Sequence, residues 1–317
     1  MKVSIVCPFY NENAIIENAA RNMTKNLRKS GLDWEFIAVN DGSTDDSLEL
    51  IEKIFKEEPK RTKIISYSYN QGRGYALKRG IDDATGDLII TTEIDLSWGE
   101  TVIQDIVDKF IREPFLDAVV ASPNLPGGGY KNVPLKRVLV SRFGNKILRM
   151  LFTSKVTMNT GMTRGYKREI IQSLRIDEKG KEFNLEVLLK LFMLGYRIGE
   201  IPAVLEWKDH KLFKTGSKKR KSSSNVPQLI LSHLNFAVFA NPIRYFWGFS
   251  AGCLLLSIAF VIDATYRLYT GEVAIFVALV GMFLGIFSLL FFGFGIVTTQ
   301  NIKVLKELWK KNNNPSQ

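Results

Sequence analysis

Short apolar runs and amphipathic segments alternate over the first 120 residues of the chain. The apolar runs are rich in β-branched residues and predict five strands: "KVSIVCPFY", "WEFIAVNDGS", "TKIISYSY", "GDLIITTEID" and "DAVVASP". Segments with helical spacing lie between the first four, and one of them, "STDDSLELIEKIFKEE", begins with the Ser and Asp residues that favour helix N-termini. Strands that alternate with helices indicate βαβ units, so we predict an α/β protein with a mostly parallel sheet.

Two longer apolar runs follow in the last third of the chain. No charged residue occurs from Tyr245 to Ile262 or from Val273 to Ile302, which are stretches of 18 and 30 residues. The hydrocarbon core of a bilayer takes about 20 apolar residues in a helix. Because neither run has a polar face, we predict two transmembrane helices in residues 243–302, joined by a loop at 263–272, rather than two buried core helices.

Basic residues flank the two predicted spans and indicate their orientation. The loop between the spans carries one basic residue, Arg267, whereas "KTGSKKRK" precedes the first span and "KVLKELWKK" follows the second. By the positive-inside rule, an α/β domain in residues 1–220 and a basic tail in residues 303–317 are expected in the cytoplasm. No cleavable signal precedes "MKVSIVCPFY", which fits a multi-pass protein of the cell membrane with a cytoplasmic N-terminus.

The net charge of +11 is concentrated beside the spans, which favours anionic lipid headgroups over nucleic acid as the partner. "PLKRVLVSRFGNKILRMLF" alternates basic and apolar residues, so residues 134–153 are predicted to form an amphipathic helix in the membrane interface. A helix packed on the domain is the alternative. A second interfacial helix, "PQLILSHLNFAVFANP", is predicted within residues 221–242.

Each predicted span contains two glycines one helical turn apart. The pairs are Gly248 with Gly252, and Gly281 with Gly285. Small residues at this spacing let helix backbones approach closely in lipid. They predict close packing either between the two spans or between protomers, so a homo-oligomer is one of two open alternatives.

Polar residues directly follow four of the predicted strands. They are Asn11 and Glu12, then Asp41, then Gln71 and Arg73, then Glu93 and Asp95. Ligands of parallel sheets bind outside the carboxyl ends of the strands, so these side chains are expected to share one crevice. A dinucleotide site is excluded, because "GRGYAL" has Leu77 where the third glycine of the fingerprint belongs and follows the third strand rather than the first.

The stretch "TTEIDLSWGE" places two carboxylates, Glu93 and Asp95, on either side of one residue directly after an apolar run. Mg²⁺ and Mn²⁺ are hard ions that take oxygen ligands, and Mg²⁺ often uses only one or two protein carboxylates beside substrate phosphates. A metal site and an acidic turn are both consistent with these residues alone.

Four motifs in order resemble those of family-2 glycosyltransferases, which have the GT-A nucleotide-sugar fold: "SIVCPFYNE", "VNDGSTDDS", "NQGRGYALKRG" and "GDLIITTEIDLS". The segment "PGGGYKNVPLKRVLVSRFGNKILRML", with "IGEIP" and Ser217-Lys218, is similar to polyprenyl-phosphate glycosyltransferases, above all the dolichyl-phosphate mannose synthases. The resemblance implies a metal-dependent enzyme that transfers a hexose with inversion from a nucleotide-sugar, of the GDP-mannose or UDP-glucose type, to a dolichyl or undecaprenyl phosphate. The product would be a lipid-linked sugar donor for glycan or glycoprotein assembly.

The same resemblance implies roles for individual residues. The nucleotide-sugar would contact Pro8, Tyr10, Glu12, Asp41, Gln71, Arg73, Glu93 and Asp95. The divalent ion, Mg²⁺ or Mn²⁺, would lie among Glu93, Asp95 and Ser97. The catalytic set would be Asp95, Arg137, Arg142, Arg164 and Lys218. Of these, Arg137, Arg142 and Lys218 would face the diphosphate or the lipid phosphate, since guanidinium groups suit phosphate oxygens.

Three positions depart from the family pattern. One lies within "SPNLP", where Pro123 or Asn124 replaces an arginine that is often found after the fifth strand in the mannose synthases. Glu93 stands at the first position of the usual Asp-x-Asp metal motif, and Met162 stands where some relatives have an aspartate. A hydroxyl acceptor needs a general base, whereas a lipid phosphate is already anionic near neutral pH, so Met162 favours a phosphate acceptor. Two alternatives stay open: a membrane glycosyltransferase for a hydroxyl acceptor, with Glu182 or Glu186 as base, and a catalytically inactive scaffold subunit.

Overall fold

The structure, a computed structural model, describes residues 1–95, 97–152, 156–207 and 242–313. The chain divides into two compact units, Met1–Ser224 and Asn225–Gln317. Lys218 and the interfacial helix predicted for residues 221–242 lie outside the described residues, apart from Pro242, which begins a helix. The predicted boundaries between domain, interfacial segment and spans therefore stay predictions.

The first unit contains a seven-stranded sheet that is parallel except for one strand. Its strands are β1 (Lys2–Phe9), β2 (Asp33–Asn40), β3 (Thr62–Ser66), β4 (Leu88–Thr91), β5 (Ala118–Ser122), β7 (Arg164–Lys167) and β8 (Ile198–Pro202). The order across the sheet is β3-β2-β1-β4-β7-β5-β8, and β7 is antiparallel to both of its neighbours. Two further strands, β6 (Gly129–Lys131) and β9 (Val204–Glu206), form a separate parallel ribbon. The predicted α/β fold with a mostly parallel sheet is confirmed.

Helices in the described part of this unit follow the amphipathic segments of the sequence. They are α1 (Ile16–Lys29), α2 (Ser47–Phe55), α3 (Arg73–Asp82), α4 (Val102–Arg112), α5 (Leu135–Phe152), α6 (Arg168–Ser173) and α7 (Phe183–Leu194). In α1 the buried residues Ile16, Met23 and Leu27 lie on one face and join the main core. The helix α4 is not among the predicted elements, although its buried Ile106 and Phe110 have the same helical spacing.

The helix α3 packs very closely on β1 and β2 and depends on Gly80 for this. A Cβ atom at Gly80 would stand 2.4 Å from Cγ1 of Val6 and 2.9 Å from Cγ2 of Val39. A larger residue would therefore push the helix away from the sheet. Because α3 begins at Arg73, this packing fixes where that side chain enters the carboxyl edge of the sheet.

The second unit contains two long helices, α8 (Pro242–Tyr269) and α9 (Ile275–Asn313). Both are long and apolar enough to cross a membrane, and their most apolar windows are only 17% and 11% buried. A core helix of a soluble protein would be mostly buried, so this exposure favours the transmembrane interpretation. The helix α8 continues past the uncharged run to Tyr269, and in this last part Arg267 pairs with Asp263 one turn back at 3.0 Å.

Hydroxyl groups tie the two helices of the hairpin together. Ser250 and Ser288 each donate to the backbone carbonyl of the other at 2.9 Å. Ser257 donates to the carbonyl of Gly281 at 2.7 Å. In hydrocarbon such bonds satisfy hydroxyls that lipid cannot, so they favour a fixed helix pair.

The two glycine pairs have different surroundings. An added Cβ at Gly281 would lie 3.1 Å from Val261, and one at Gly285 would lie 3.2 Å from the hydroxyl of Ser257. Added Cβ atoms at Gly248 and Gly252 would meet nothing within 4 Å. The pair in α9 therefore serves packing within the hairpin, and homo-oligomerisation through the pair in α8 stays a prediction.

Candidate active site

A cavity of about 740 Å³ opens at the carboxyl ends of β1, β2 and β4. Its wall combines the turns after these strands with the start of α3, the first turn of α5 and the loop before α7. The lining residues are Pro8, Phe9, Tyr10, Glu12, Ile15, Asp41, Asn70, Gly72, Arg73, Glu93, Ile94, Asp95, Arg137, Met162, Gly180, Lys181 and Glu182. Strand ends that are far apart in sequence thus meet at one site, as the sheet topology requires.

Most of the residues predicted for the site lie in this wall. They are Pro8, Tyr10, Glu12, Asp41, Arg73, Glu93, Asp95 and Arg137. Ser97 is hydrogen-bonded to Asp95, and the backbone of Gln71 is bonded to Asp41. Arg142 and Arg164 are not among the lining residues, and Lys218 lies outside the described residues. Asn70 and Lys181, which the sequence did not single out, also line the cavity.

The carboxylate of Asp41 is 3% exposed and is hydrogen-bonded throughout within the protein. Its donors are the Tyr67 hydroxyl at 2.8 Å, the Gln71 N–H at 2.9 Å, the Asn70 amide at 3.0 Å and the Gly72 N–H at 3.2 Å. Burial and the contact with Asp41 raise the pKa of Tyr67, which keeps the phenol protonated as a donor. Asp41 therefore shapes the turn that leads into α3, in addition to its place in the cavity wall.

The turn after Asp95 fixes the orientation of its side chain. Oδ1 of Asp95 accepts a hydrogen bond from the Ser97 N–H at 3.0 Å and a second one from the Ser97 hydroxyl. Ser97 is fully buried, and its carbonyl accepts from the N–H of Glu206 at 2.7 Å. The orientation of Asp95 is therefore set by a buried side chain that is itself held by the β6–β9 ribbon.

The donor set fits a Mg²⁺ or Mn²⁺ ion that takes few protein ligands. Among the described residues, no three His, Cys, Asp or Glu side chains are grouped so that they could cage a metal. Glu93 and Asp95 bring two hard oxygen ligands to the cavity wall, and such ions complete their shell with water and substrate phosphates. Burial, followed by the charges of Asp95 and Glu93, raises the pKa of the Cys7 thiol, so this residue stays neutral.

Three cations also line the cavity. Arg73, Arg137 and Lys181 have no carboxylate within ion-pair distance in the described parts of the chain. The Nε atom of Arg73 is buried and has no hydrogen-bond partner there. A buried donor without a partner costs free energy, and at the cavity wall this donor is placed where an anion could accept from it.

The loop before α7 is docked on the N-terminus of α3. The carbonyl of Lys179 accepts from the N–H groups of Gly74 at 2.8 Å and Tyr75 at 3.1 Å. An added Cβ at Gly74 would lie 2.7 Å from the carbonyl oxygen of Gly180, so only glycine permits this approach. Docking brings Lys181 and Glu182 into the cavity wall, which no local sequence pattern reveals.

Glu186 holds the same loop from the other side. Its carboxylate accepts from the N–H groups of Asp177 at 3.1 Å and Glu178 at 2.8 Å, and it pairs with Lys190 at 2.6 Å. Burial, then the charges of Glu182, Glu186 and Asp177, raise the pKa of Glu178. Of the two glutamates considered as bases, Glu182 lines the cavity and Glu186 anchors the loop.

Arg164, on β7, is fully buried. Its guanidinium donates to the carbonyl of Asn159 at 2.7 Å and to that of Asn184 at 2.6 Å. Burial lowers the pKa of Arg164. It connects the segment that carries Met162 with the first turn of α7, so this geometry gives Arg164 a positioning role.

The two predicted phosphate-facing arginines of α5 both lie over aromatic rings. The guanidinium carbon of Arg137 lies 4.8 Å from the ring centroid of Trp207, and that of Arg142 lies 5.5 Å from the ring centroid of Tyr130. Only Arg137 is in the cavity wall. Stacking leaves the N–H edge of a guanidinium available for an anion.

Residues 4–175, more than half of the chain, match the sequence profile of Glycosyl transferase family 2. The chain belongs to glycosyl transferase family 2. This membership confirms the resemblance carried by the four N-terminal motifs.

Two curated proteins match more than half of the chain. Glycosyltransferase AglD of Haloferax volcanii is 27% identical over 211 residues, which are 65% of this chain and 33% of that protein. Dolichol-phosphate mannosyltransferase of Pyrococcus furiosus is 25% identical over 193 residues, which are 60% of this chain and 53% of that protein. The chain thus spans between a third and about half of the length of these relatives.

Two solved structures of one enzyme share the fold. Glucosyl-3-phosphoglycerate synthase from Mycobacterium tuberculosis, in complex with phosphoglyceric acid, aligns with a TM-score of 0.57 at 19% identity, over 74% of this chain and 80% of that one. The same enzyme with Mn²⁺, UDP and glucosyl-3-phosphoglycerate aligns with a TM-score of 0.51 at 20% identity, over 65% and 70% of the two chains. At these identities the likeness shows the fold alone, and it confirms the GT-A architecture.

Proposed function

We propose that this family 2 glycosyltransferase transfers a hexose from a nucleoside-diphosphate sugar, of the GDP-mannose or UDP-glucose type, to a dolichyl or undecaprenyl phosphate. The observation that carries the proposal is the set of Arg73, Arg137 and Lys181, which line the cavity without carboxylate partners in the described residues. Two anionic groups, the donor diphosphate and the acceptor phosphate, bring the charge that such a set binds.

Two carboxylates in the same wall suit the donor diphosphate. Glu93 and Asp95 would hold Mg²⁺ or Mn²⁺ there, with Ser97 fixing the orientation of Asp95. When bound, the ion offsets the charge that grows on the leaving nucleoside diphosphate. The M. tuberculosis synthase, crystallised with Mn²⁺ and UDP, supports a divalent-ion site in this fold.

The proposed chemistry is one inverting displacement. A phosphate oxygen of the acceptor attacks the anomeric carbon, the bond from that carbon to the diphosphate oxygen breaks, and the nucleoside diphosphate leaves. No proton has to leave an ionised phosphate, so the site needs positioning and electrostatic stabilisation rather than a base. Met162 in the cavity wall is compatible with this. The relative named dolichol-phosphate mannosyltransferase supports a lipid-phosphate acceptor.

The surface of α5 supports an acceptor that comes from a membrane. Leu135, Leu139, Val140 and Phe143 are apolar and between 58% and 73% exposed, and basic residues alternate with them. Such a surface suits the interface of an anionic bilayer. With α8 and α9 as spans, we place the catalytic domain and the C-terminal tail on the cytoplasmic face, where the enzyme makes a lipid-linked sugar for glycan or glycoprotein assembly.

A hydroxyl acceptor is the second candidate, and Glu182 is the observation that favours it. Glu182 lines the cavity and could take the proton of an attacking hydroxyl. Glu182→Gln separates the candidates. Transfer to a lipid phosphate should stay within a few-fold of wild type, whereas transfer to a hydroxyl would fall about 100-fold or more.

Product analysis tests the proposal directly. The full-length protein in nanodiscs is incubated with a panel of nucleotide-sugars, Mg²⁺ or Mn²⁺, and dolichyl or undecaprenyl phosphate, and the lipid product is analysed by mass. The expected product is the lipid phosphate with one added hexose. An alkali-stable glycolipid without phosphate would contradict the proposal. If no nucleotide-sugar gave a lipid product and the cellular function survived Asp95→Asn intact, the inactive-scaffold alternative would be favoured.

A further inference from the structure

Trp207 contacts one of the three cations that line the cavity. Its ring lies 4.8 Å from the guanidinium carbon of Arg137, and Arg137 is in the first turn of α5. A guanidinium over an aromatic ring is held by cation–π attraction, and one that lies parallel to the ring keeps the donors of its N–H edge. Trp207 therefore restricts Arg137 without using the hydrogen bonds that a phosphate needs.

The backbone around Trp207 links this cation to the acidic side of the cavity. The N–H of Trp207 donates to the carbonyl of Lys131 at 3.0 Å, which extends the β6–β9 ribbon by one residue. The preceding residue, Glu206, donates its N–H to Ser97 at 2.7 Å and pairs with Lys131 at 2.9 Å. Ser97 in turn aims Asp95. Two consecutive residues thus hold the cation and the carboxylate.

We propose that Trp207 is a positioning residue for phosphate binding. It holds the Arg137 guanidinium with its N–H edge toward the cavity, at a position that the ribbon fixes relative to Asp95. The ligand is a phosphate group, either the diphosphate of the donor or the phosphate of the acceptor lipid. This inference rests on the proposed function only for the identity of that phosphate.

The test is a set of variants at position 207 in two backgrounds. Trp207→Phe and Trp207→Leu are made in the full-length protein and in Arg137→Ala, and kcat and both KM values are measured in nanodiscs with UDP-glucose or GDP-mannose and undecaprenyl phosphate. Since Trp is the strongest cation–π partner, we expect kcat/KM to fall about threefold for Phe and about tenfold for Leu. In Arg137→Ala, all three residues at 207 should give values within about twofold of one another.

Matched variants separate positioning from a general effect on folding. Phe115→Leu removes a similar contact, with Arg197 at 5.4 Å from the Phe115 ring, outside the cavity, and should leave both KM values within about twofold. If Trp207→Leu lowers the Tm, Trp207→Phe is used instead to compare the wild-type and Arg137→Ala backgrounds. A loss for Trp207→Leu that is the same in Arg137→Ala, or an equal loss for Phe115→Leu, overturns the proposal.

The split between the two KM values identifies the phosphate. A rise in the donor KM assigns Arg137 to the diphosphate, and a rise in the undecaprenyl phosphate KM assigns it to the acceptor. If no nucleotide-sugar is turned over with a lipid phosphate, the proposed function fails by itself. The same variants are then compared by calorimetric binding of UDP and GDP with Mn²⁺ and of undecaprenyl phosphate. Binding of all three that is unchanged by Trp207→Leu overturns the positioning role.

Discussion

Both edges of the central sheet gather charged side chains, but in the described residues the amino edge pairs a cation with a carboxylate, whereas three cavity cations of the carboxyl edge have no carboxylate partner. At the amino edge, Glu35 accepts from Lys2 Nζ at 2.6 Å, from the Ser4 hydroxyl at 2.5 Å and from the Thr85 N–H at 2.7 Å. Although burial raises its pKa, these bonds together lower the pKa of Glu35 to about 2. The Glu35 carboxylate therefore links three segments of the chain to one another.

The carboxyl edge is built in the opposite way. Arg73, Arg137 and Lys181 line the cavity without carboxylate partners in the described part of the chain, and the buried Nε of Arg73 lacks any partner there. Unpaired charges destabilise a folded domain, yet they are what binds an anionic ligand. Substitutions at the amino edge should therefore change stability without changing catalysis, and those at the carboxyl edge should do the reverse.

Among the substitutions at the two edges, Asp95→Asn should lower the transfer activity the most. It removes the charge from the carboxylate that the structure orients best, while an amide of similar shape keeps the contact with Ser97. We expect transfer activity to fall about 100-fold or more, about 3 kcal/mol, because electrostatic stabilisation of the leaving diphosphate is lost. Initial rates with Mg²⁺ or Mn²⁺ measure it.

The control for this variant is Asp105→Asn, on α4 and outside the cavity wall. It should keep wild-type activity. Thermal unfolding should give nearly equal Tm values for both variants and wild type. An Asp95→Asn protein that unfolded at a much lower temperature would place the residue among the stabilising charges and break the contrast.

Glu35→Gln should show the reverse behaviour. A folded pKa of about 2, below the ordinary value of 4.5, means that Glu35 stabilises the fold above about pH 4.5 and that this stabilisation is lost as the pH falls toward 2. The shift corresponds to at most about 3 kcal/mol at neutral pH. Activity at pH 7 should be unchanged and the Tm lowered.

The pH dependence provides the check. Thermal unfolding of wild type and Glu35→Gln is compared in detergent from pH 7 down to pH 2.5, and the difference in Tm should shrink as the pH falls below 4.5. A difference that stayed constant over this range would show that packing, not the charge, is what the substitution removes.

The sequence predicts those parts of the site that follow directly from strand ends. Asp41, Glu93 and Asp95 each come immediately after an apolar run, and parallel strands bring their carboxyl ends to one edge. Strand ends do not predict which of these side chains are already hydrogen-bonded within the protein. That Asp41 is already bonded to Tyr67 and Asn70 depends on how the following loop folds back.

The other features of the site that the sequence did not predict depend on contacts between residues far apart in the chain. Lys181 reaches the cavity only because the loop docks at Gly74, more than 100 residues earlier in the chain. The strands of the β6–β9 ribbon are three residues long, too short for any periodicity to reveal. Arg164 matches a family motif, but a motif gives no indication that the side chain is buried. Local pattern therefore predicted the elements, and packing decided which side chains reach the ligand.

Arg73→Gln tests whether one cation of the carboxyl edge serves ligand binding rather than stability. Removal of a guanidinium without a carboxylate partner should weaken nucleoside-diphosphate binding about tenfold, about 1.4 kcal/mol, and should leave the Tm equal or slightly higher. Calorimetric titration with UDP and GDP in the presence of Mn²⁺ measures the affinity. Lys2→Met, at the amino edge, is the matched variant: it should lower the Tm and leave the affinity unchanged, and the opposite pattern would contradict the assignment of the two edges.

Ser97→Ala should give the smallest of these effects. It removes the hydroxyl bond to Asp95 but leaves the N–H bond at 3.0 Å, so the carboxylate keeps part of its orientation. The loss of one hydrogen bond to a charged group is expected to cost about 1 to 2 kcal/mol, which appears as a several-fold higher Mn²⁺ concentration for half-maximal activity. Thr101→Ala removes a similar bond to Asp105 at 2.9 Å outside the cavity, and it should leave the Mn²⁺ dependence unchanged. Equal Mn²⁺ dependence in Ser97→Ala and wild type would show that the N–H of Ser97 alone aims Asp95, and the contribution of the buried hydroxyl would then belong to folding rather than to the site.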